Sequence, residues 1–141
     1  MKVGQNTKIW HPEKSVIGDC EIGDNCRIHA PVWIGDGVRI GNNVKIQAFA
    51  FIPAGVTIED GVFIAPCVCF TNDKHPPSGG KGWSTTLVEK NAVICANATI
   101  CPGLTVGEAA LVGAGAVVTK DVVAASTVVG NPARELRHEQ T

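Results

Sequence analysis

The chain has 141 residues and a formal net charge of −1. That length leaves room for one domain, and so small a charge gives no electrostatic footprint for nucleic acid. No apolar run approaches the length of a membrane span. The first six residues lack the apolar core of a signal peptide, so a cytoplasmic protein without a membrane partner is expected. Sixteen glycines, 5% aromatic residues and no tyrosine suit short segments joined by turns better than a packed globule.

Residues 1–15 read as an imperfect first coil, with Val3 and Ile9 six apart before Trp10-His11-Pro12. Atypical terminal repeats of this kind cap the open end of a stack. From Ile22 an aliphatic or aromatic residue returns at every sixth position: Ile28, Ile34, Ile40, Ile46, Ile52, Ile58, Ile64 and Phe70. Two places before each stands a small or apolar residue, from Cys20 and Cys26 to Val62 and Val68. A period of six fits neither an amphipathic helix nor a simple alternating strand, but it does fit a parallel β-helix.

Strand alternation supplies the geometry. Val38 and Ile40 point inward while Arg39 points out, and Gly41-Asn42-Asn43 turns the corner. Three such units close a triangular coil of eighteen residues, and the next coil stacks on it at roughly 4.8 Å. An all-β fold of about six coils follows, as a single domain over residues 1–141.

The rhythm stops after Phe70. Residues 71–87 contain Asn72-Asp73-Lys74-His75-Pro76-Pro77 and Ser78-Gly79-Gly80-Lys81-Gly82-Trp83, and read as an extruded loop. The six-step register resumes at Val88, Ile94, Ile100, Val106, Val112 and Val118, and the spacing leaves the phase across the loop open. A long loop that interrupts a regular coil is more often functional than accidental. An irregular last coil runs to Val129, and residues 130–141 form a short charged tail.

Outward residues eighteen apart stack on one face. Glu21, Arg39 and Thr57 make a polar column, Arg27, Lys45 and Phe63 a mixed one, and Trp33, Phe51 and Cys69 an apolar one. The apolar column reads as a subunit interface, or as a surface over which the loop folds back. The six cysteines read as reduced structural thiols: Cys20 and Cys26 occupy inward slots, Cys95 and Cys101 fall at different corners, and Cys67-x-Cys69 lacks a second pair for zinc.

Several runs resemble the hexapeptide-repeat acyltransferases, whose fold is a left-handed parallel β-helix. They are Thr7-Lys8-Ile9-Trp10-His11, Ile40-Gly41-Asn42-Asn43-Val44-Lys45-Ile46-Gln47, Phe70-Thr71-Asn72, the run from Val112 to Asp121, and Val129-Gly130-Asn131-Pro132-Ala133-Arg134. The likeness covers nearly the whole chain and is greatest to bacterial sugar-nucleotide N-acetyltransferases. It implies a homotrimer with active sites between subunits, acetyl-CoA as acyl donor, and a sugar or sugar-nucleotide acceptor. It also implies that Ala96, Asn97, Gly113 and Ala114 flank the pantetheine arm. Thr119, Lys120 and Arg134 would then lie toward the nucleotide end, where cations meet phosphates.

Acyl transfer needs a base near neutral pH, and histidine suits it. Of four histidines, His138 lies in the tail and His29 reads as a turn residue. His11 matches the family's Trp-His as a substrate contact, and His75 in the loop is the expected general base. Asn72 and Asp73 would orient it or bind the acceptor, and Trp83 would cover substrate or CoA. The run Asn72-Asp73-Lys74-His75-Pro76 resembles the loop of galactoside and maltose O-acetyltransferases, whereas Ala48-Phe49 replaces the Asn-Asn of sugar-amine relatives. Acceptor amine and acceptor hydroxyl therefore both stand. Two alternatives share the coil. A γ-class carbonic anhydrase needs three converging histidines for zinc, two of them about five apart, and that spacing is absent. The other is a non-catalytic scaffold.

Overall fold

The computed structural model describes residues 1–136 as a left-handed parallel β-helix, a three-faced prism of short strands. The first coil holds β1 (Lys2–Val3), β2 (Lys8–Ile9) and β3 (Val16–Ile17), one strand per face. The second coil holds β4 (Glu21–Ile22), β5 (Arg27–Ile28) and β6 (Trp33–Ile34), and the third β7 (Arg39–Ile40), β8 (Lys45–Ile46) and β9 (Phe51–Ile52). The fourth is β10 (Val56–Ile58), β11 (Phe63–Ile64) and β12 (Cys69–Phe70). After the loop come β13 (Thr86–Val88), β14 (Val93–Ile94) and β15 (Thr99–Ile100), then β16 (Thr105–Val106), β17 (Leu111–Val112) and β18 (Val117–Val118).

Six coils are thus complete and a seventh is partial. Val122 bridges to Val106, and β19 (Thr127–Val129) pairs with β17. β20 (Arg134–Glu135) then turns back antiparallel against β19. This reversal covers the outer side of β19 and makes β20 the last strand of the second face. His138 lies outside the described residues.

The inward positions behave as their spacing requires. Ile28, Ile34, Ile46, Ile52, Ile64, Phe70, Ile94 and Ile100 are fully buried in vertical interior rows. Burying each aliphatic side chain contributes about 1.5–3 kcal/mol before conformational entropy is subtracted. Cys20 and Cys26 sit in the same rows, and all six cysteines are free thiols. The first coil is the exception, because it has a neighbour on one side only: Val3 is exposed, and Ile9 and Ile17 are partly so.

Register across the loop is settled by pairing. Ile58 faces Val88, thirty residues on, so the insertion adds twelve residues to an eighteen-residue coil. The loop is also shorter than expected, because Thr86 and Leu87 already belong to β13. Thr57 pairs with Leu87 where unbroken counting would give another partner.

Corners carry their own sequence rule. At the corner between the first and second faces, Asn6, Asn25, Asn43 and Asn91 hold positive φ, which Asn tolerates because its short amide bonds locally. Side chains there form a ladder: Asp24 Oδ1 accepts from Gln5 N, Asn42 Oδ1 from Asp24 N, and Asp60 Oδ1 from Asn42 N, at 2.7–2.8 Å. At the corner between the second and third faces the same position holds Phe49 at φ 69° and Cys67 at φ 63°. An aromatic residue with this backbone is out of place sterically.

Candidate active site

The loop leaves the prism at the corner between the third and first faces of the fourth coil, and its neck is closed by hydrogen bonds. Ser84 N donates to Asn72 O at 2.8 Å, and Thr86 N donates to Gly55 O at 3.0 Å. Asn72 Nδ2 donates to Ala54 O, one coil below, at 2.9 Å. Asn72 therefore fixes the loop to the prism, and its Oδ1 remains to accept from a ligand. On the other side Lys74 lies across Gly103, whose φ is +78°; a Cβ there would stand 3.1 Å from Lys74 Cε.

Asp73 acts on the loop backbone. Its Oδ2 accepts from Ser78 N at 2.9 Å and its Oδ1 from His75 N at 3.1 Å. The Ser78 amide first, and the His75 amide with it, hold this carboxyl below the usual carboxylate range. The sequence reading allowed Asp73 to orient the imidazole; the bond it makes is to the main chain of His75. The ring of His75 is exposed and has no hydrogen-bond partner among the described residues.

Beside the neck opens a cleft of about 440 Å³, lined by Trp33, Asp36, Phe51, Pro53, Asn72 and Trp83 among others. Trp33 and Phe51 stack on adjacent coils of the third face, with centroids 5.9 Å apart and planes 26° off parallel. Trp83 reaches the same cleft from the loop. The loop does not bury the apolar column: Trp33 stays 45% exposed and Phe51 38%. Asp36 Oδ1 accepts from Asp19 N at 2.7 Å, which steadies the carboxylate on the corner. Neither Asp36 nor Pro53 was singled out in the sequence. The signal was there, because residues 36, 54 and 72 are eighteen apart and stack at one corner.

The remaining candidates fall into separate groups within one chain. Ala96 lies directly beneath Ala114, with Asn97 and Gly113 beside them at the corner between the second and third faces, and Gly115 N donates to Ala96 O at 2.8 Å. Gly113 has a packing reason as well, because a Cβ there would stand 2.7 Å from Val129 Cγ1. Thr119 and Lys120 lie at the opposite edge of the third face, and Lys120 shares a depression at the C-terminal end with Arg134. His11 sits in the first coil at the edge of the third face away from the loop, with Nδ1 3.3 Å from Glu13 Oε1. Its neighbour Trp10 stacks face to face on His29, with centroids 4.4 Å apart, under Lys8 Nζ at 4.4 Å. His29 thus does more than turn the chain: it packs the first coil onto the second.

Among the described residues no group of three or more His, Cys, Asp or Glu side chains could hold a metal ion. No helix among them is long and apolar enough to cross a membrane.

Family comparison matches residues 37–72 to the bacterial transferase hexapeptide (six repeats), and residues 16–48 and 86–120 to the hexapeptide repeat of succinyl-transferase. The chain belongs to the hexapeptide-repeat transferase family. No curated protein matches it. Among solved structures, a mutant of AntD, an N-acyltransferase from Bacillus cereus in complex with dTDP and coenzyme A, superposes with TM-score 0.86. Identity to it is 23%, over 99% of this chain and 84% of AntD. The acetyltransferase domain of PglB from Neisseria gonorrhoeae, in complex with acetyl coenzyme A, gives TM-score 0.79 at 25% identity, over 92% of this chain and 57% of that one. A mutant GDP-perosamine N-acetyl transferase from Caulobacter crescentus, in complex with CoA and GDP-perosamine, gives 0.72 at 20%, over 97% and 58%. The hexapeptide-repeat chain described here therefore spans less than three fifths of the last two, and at these identities the likeness is one of fold.

Proposed function

We propose that this protein transfers an acetyl or other acyl group from acyl-CoA to an amino or hydroxyl group of a sugar nucleotide. The observation that carries this reading is the aromatic cleft at the neck of the one loop that breaks the coil, with His75 on that loop. His75, as general base, takes the proton of the acceptor as its nitrogen or oxygen attacks the thioester carbonyl. Backbone N–H groups at the coil corners stabilise the tetrahedral oxyanion, which collapses to release the CoA thiolate. The small, partly exposed corner of Ala96, Asn97, Gly113 and Ala114 suits a thin pantetheine arm lying close to backbone. Lys120 and Arg134 offer cations for the CoA phosphates. The named activities of the structural neighbours favour nitrogen as the acceptor atom.

A homotrimer belongs to this reading. Val16, Trp33, Phe49 and Phe51 leave an exposed apolar strip on and beside the third face, and two prisms packed along such strips bring the separate groups of candidates into one site. That packing would set the corner of Ala96 and Gly113, or His11, against a neighbour's loop. Six free thiols suit the cytoplasm, where they stay reduced.

The test is a titration with acetyl-CoA followed by thiol release in the presence of amino-sugar and hydroxy-sugar nucleotides. His75→Ala should lower turnover about 100-fold or more while acetyl-CoA still binds. Near-normal turnover would remove the base assignment. A protein that binds no acetyl-CoA would instead be a scaffold that keeps the prism alone.

A further inference from the structure

The loop that breaks the coil has two unlike halves. The half from Asn72 to Ser78 is tied down. Asn72 bonds to Ala54 O through its side chain and accepts from Ser84 N through its backbone. Asp73 accepts from His75 N at 3.1 Å and from Ser78 N at 2.9 Å. Lys74 lies across Gly103, where a Cβ would stand 3.1 Å from its Cε and 3.2 Å from its Nζ. Pro76 and Pro77 lock their own φ and disfavour helical backbone at His75 before them. In the other half Gly79, Gly80 and Gly82 hold φ of 69°, 87° and 75°, and one long bond, Lys81 N to Ser78 O at 3.4 Å, spans them. His75 stands in the middle of the stiff half, and its ring has no hydrogen-bond partner among the described residues.

We infer that Asp73 is a positioning residue of the acyl transfer: it fixes the backbone of His75 and leaves both ring nitrogens to the reaction. This rests on the reading of His75 as general base and names what holds that base in place. A base must stand within hydrogen-bond reach of the proton it takes, and a misplacement of about 1 Å can cost about 100-fold. A carboxylate bonded to the second ring nitrogen is one way to hold an imidazole. Here Asp73, two residues away, spends both oxygens on main-chain amides, so the restraint acts on the backbone that carries the ring. With that backbone fixed, the ring has only its two side-chain torsions left to set. Two amides need two acceptor oxygens, which a carboxylate has and a carboxamide lacks.

The test uses the full-length protein, and its first measurement needs no turnover. After correction for intrinsic rates, the His75 and Ser78 amides should exchange hydrogen about tenfold or more slower than those of Gly79 and Gly80. Asp73→Ala should erase that difference. Thiol release from acetyl-CoA is then followed with GDP-perosamine as the acceptor probe. Asp73→Ala should lower kcat about 30-fold or more, with KM for either substrate changed less than about threefold. Asp73→Asn, which keeps one acceptor oxygen, should lose less. In a His75→Ala background, Asp73→Ala should change the residual turnover less than about twofold, because no base is left to position. A general structural role of Asp73 in the loop would lower it further. Fast exchange at His75 in the native protein, an unchanged kcat in Asp73→Ala, or a further fall in the double variant overturns the inference. Near-normal turnover by His75→Ala removes the base and this inference with it, whereas a slow His75→Ala beside a normal Asp73→Ala refutes the positioning alone.

Discussion

The first and third faces of the prism share one interior and differ outside it. Behind the first face lie Ile22, Ile40 and Ile58, and behind the third Ile34, Ile52 and Phe70, all buried. In front of the first stand Lys2, Glu21, Arg39 and Thr57, and in front of the third Val16, Trp33, Phe51 and Cys69. The ladders are equivalent, so the backbone places no demand on which face is apolar. What distinguishes them is their fit to water: a charged column is well solvated, whereas Trp33 and Phe51 expose apolar surface on the third face. The fold is held by the inward residues, and the outward ones are free to differ from face to face.

That comparison can be broken at several strengths. The largest effect should come from the shared interior: Ile40→Ala and Ile34→Ala should each cost about 2–5 kcal/mol in urea unfolding. A cost confined to one face would show that the two are not equivalent. Next, on the proposed homotrimer, Val16→Glu on the third face should weaken self-association at least tenfold, about 1.4 kcal/mol, by sedimentation. Thr57→Glu on the first face should leave it alone, and dissociation by both would mean that the apolar strip has no special part.

A smaller effect, of opposite sign, belongs to Phe49. Its positive φ and 64% exposure place a bulky ring where the other corner uses Asn. Phe49→Asn should therefore raise the stability of the single prism by about 0.5–1 kcal/mol, measured in a background already dissociated by Val16→Glu. A loss would show that the ring packs within its own chain.

The smallest effect is a pH dependence confined to the loop. The carboxyl of Asp73 is held low by the Ser78 and His75 amides, so its bonds are fully present above the unfolded value of about 3.9 and are lost as pH falls through the lower native one. Tryptophan fluorescence should report loop loosening in that acid window, and Asp73→Asn should abolish the transition.

The coil was legible because interior positions follow a strict period: Ile28 through Ile64 are buried where the spacing put them. The stacking columns were legible for the same reason, since eighteen residues make one turn of the prism. The site was legible only in part. The loop itself stood out because it breaks the rhythm, but that Asn72 ties its neck to Ala54 and that Asp73 bonds to backbone in place of imidazole are matters of loop geometry. Asp36 was hidden by its likeness to an ordinary corner residue. The stack of Trp10 on His29 joins two coils through ring orientation, which no period encodes.

By itself the sequence determined the prism, its three faces and the position of its one interruption, because a six-residue period permits one arrangement of inward side chains. The tertiary structure decided the twelve-residue phase jump, the partial seventh coil with its antiparallel closing strand, and which side chains meet at the loop neck. Those depend on where a chain of irregular loop residues comes to rest, and that is set by contacts between coils, which local sequence does not carry.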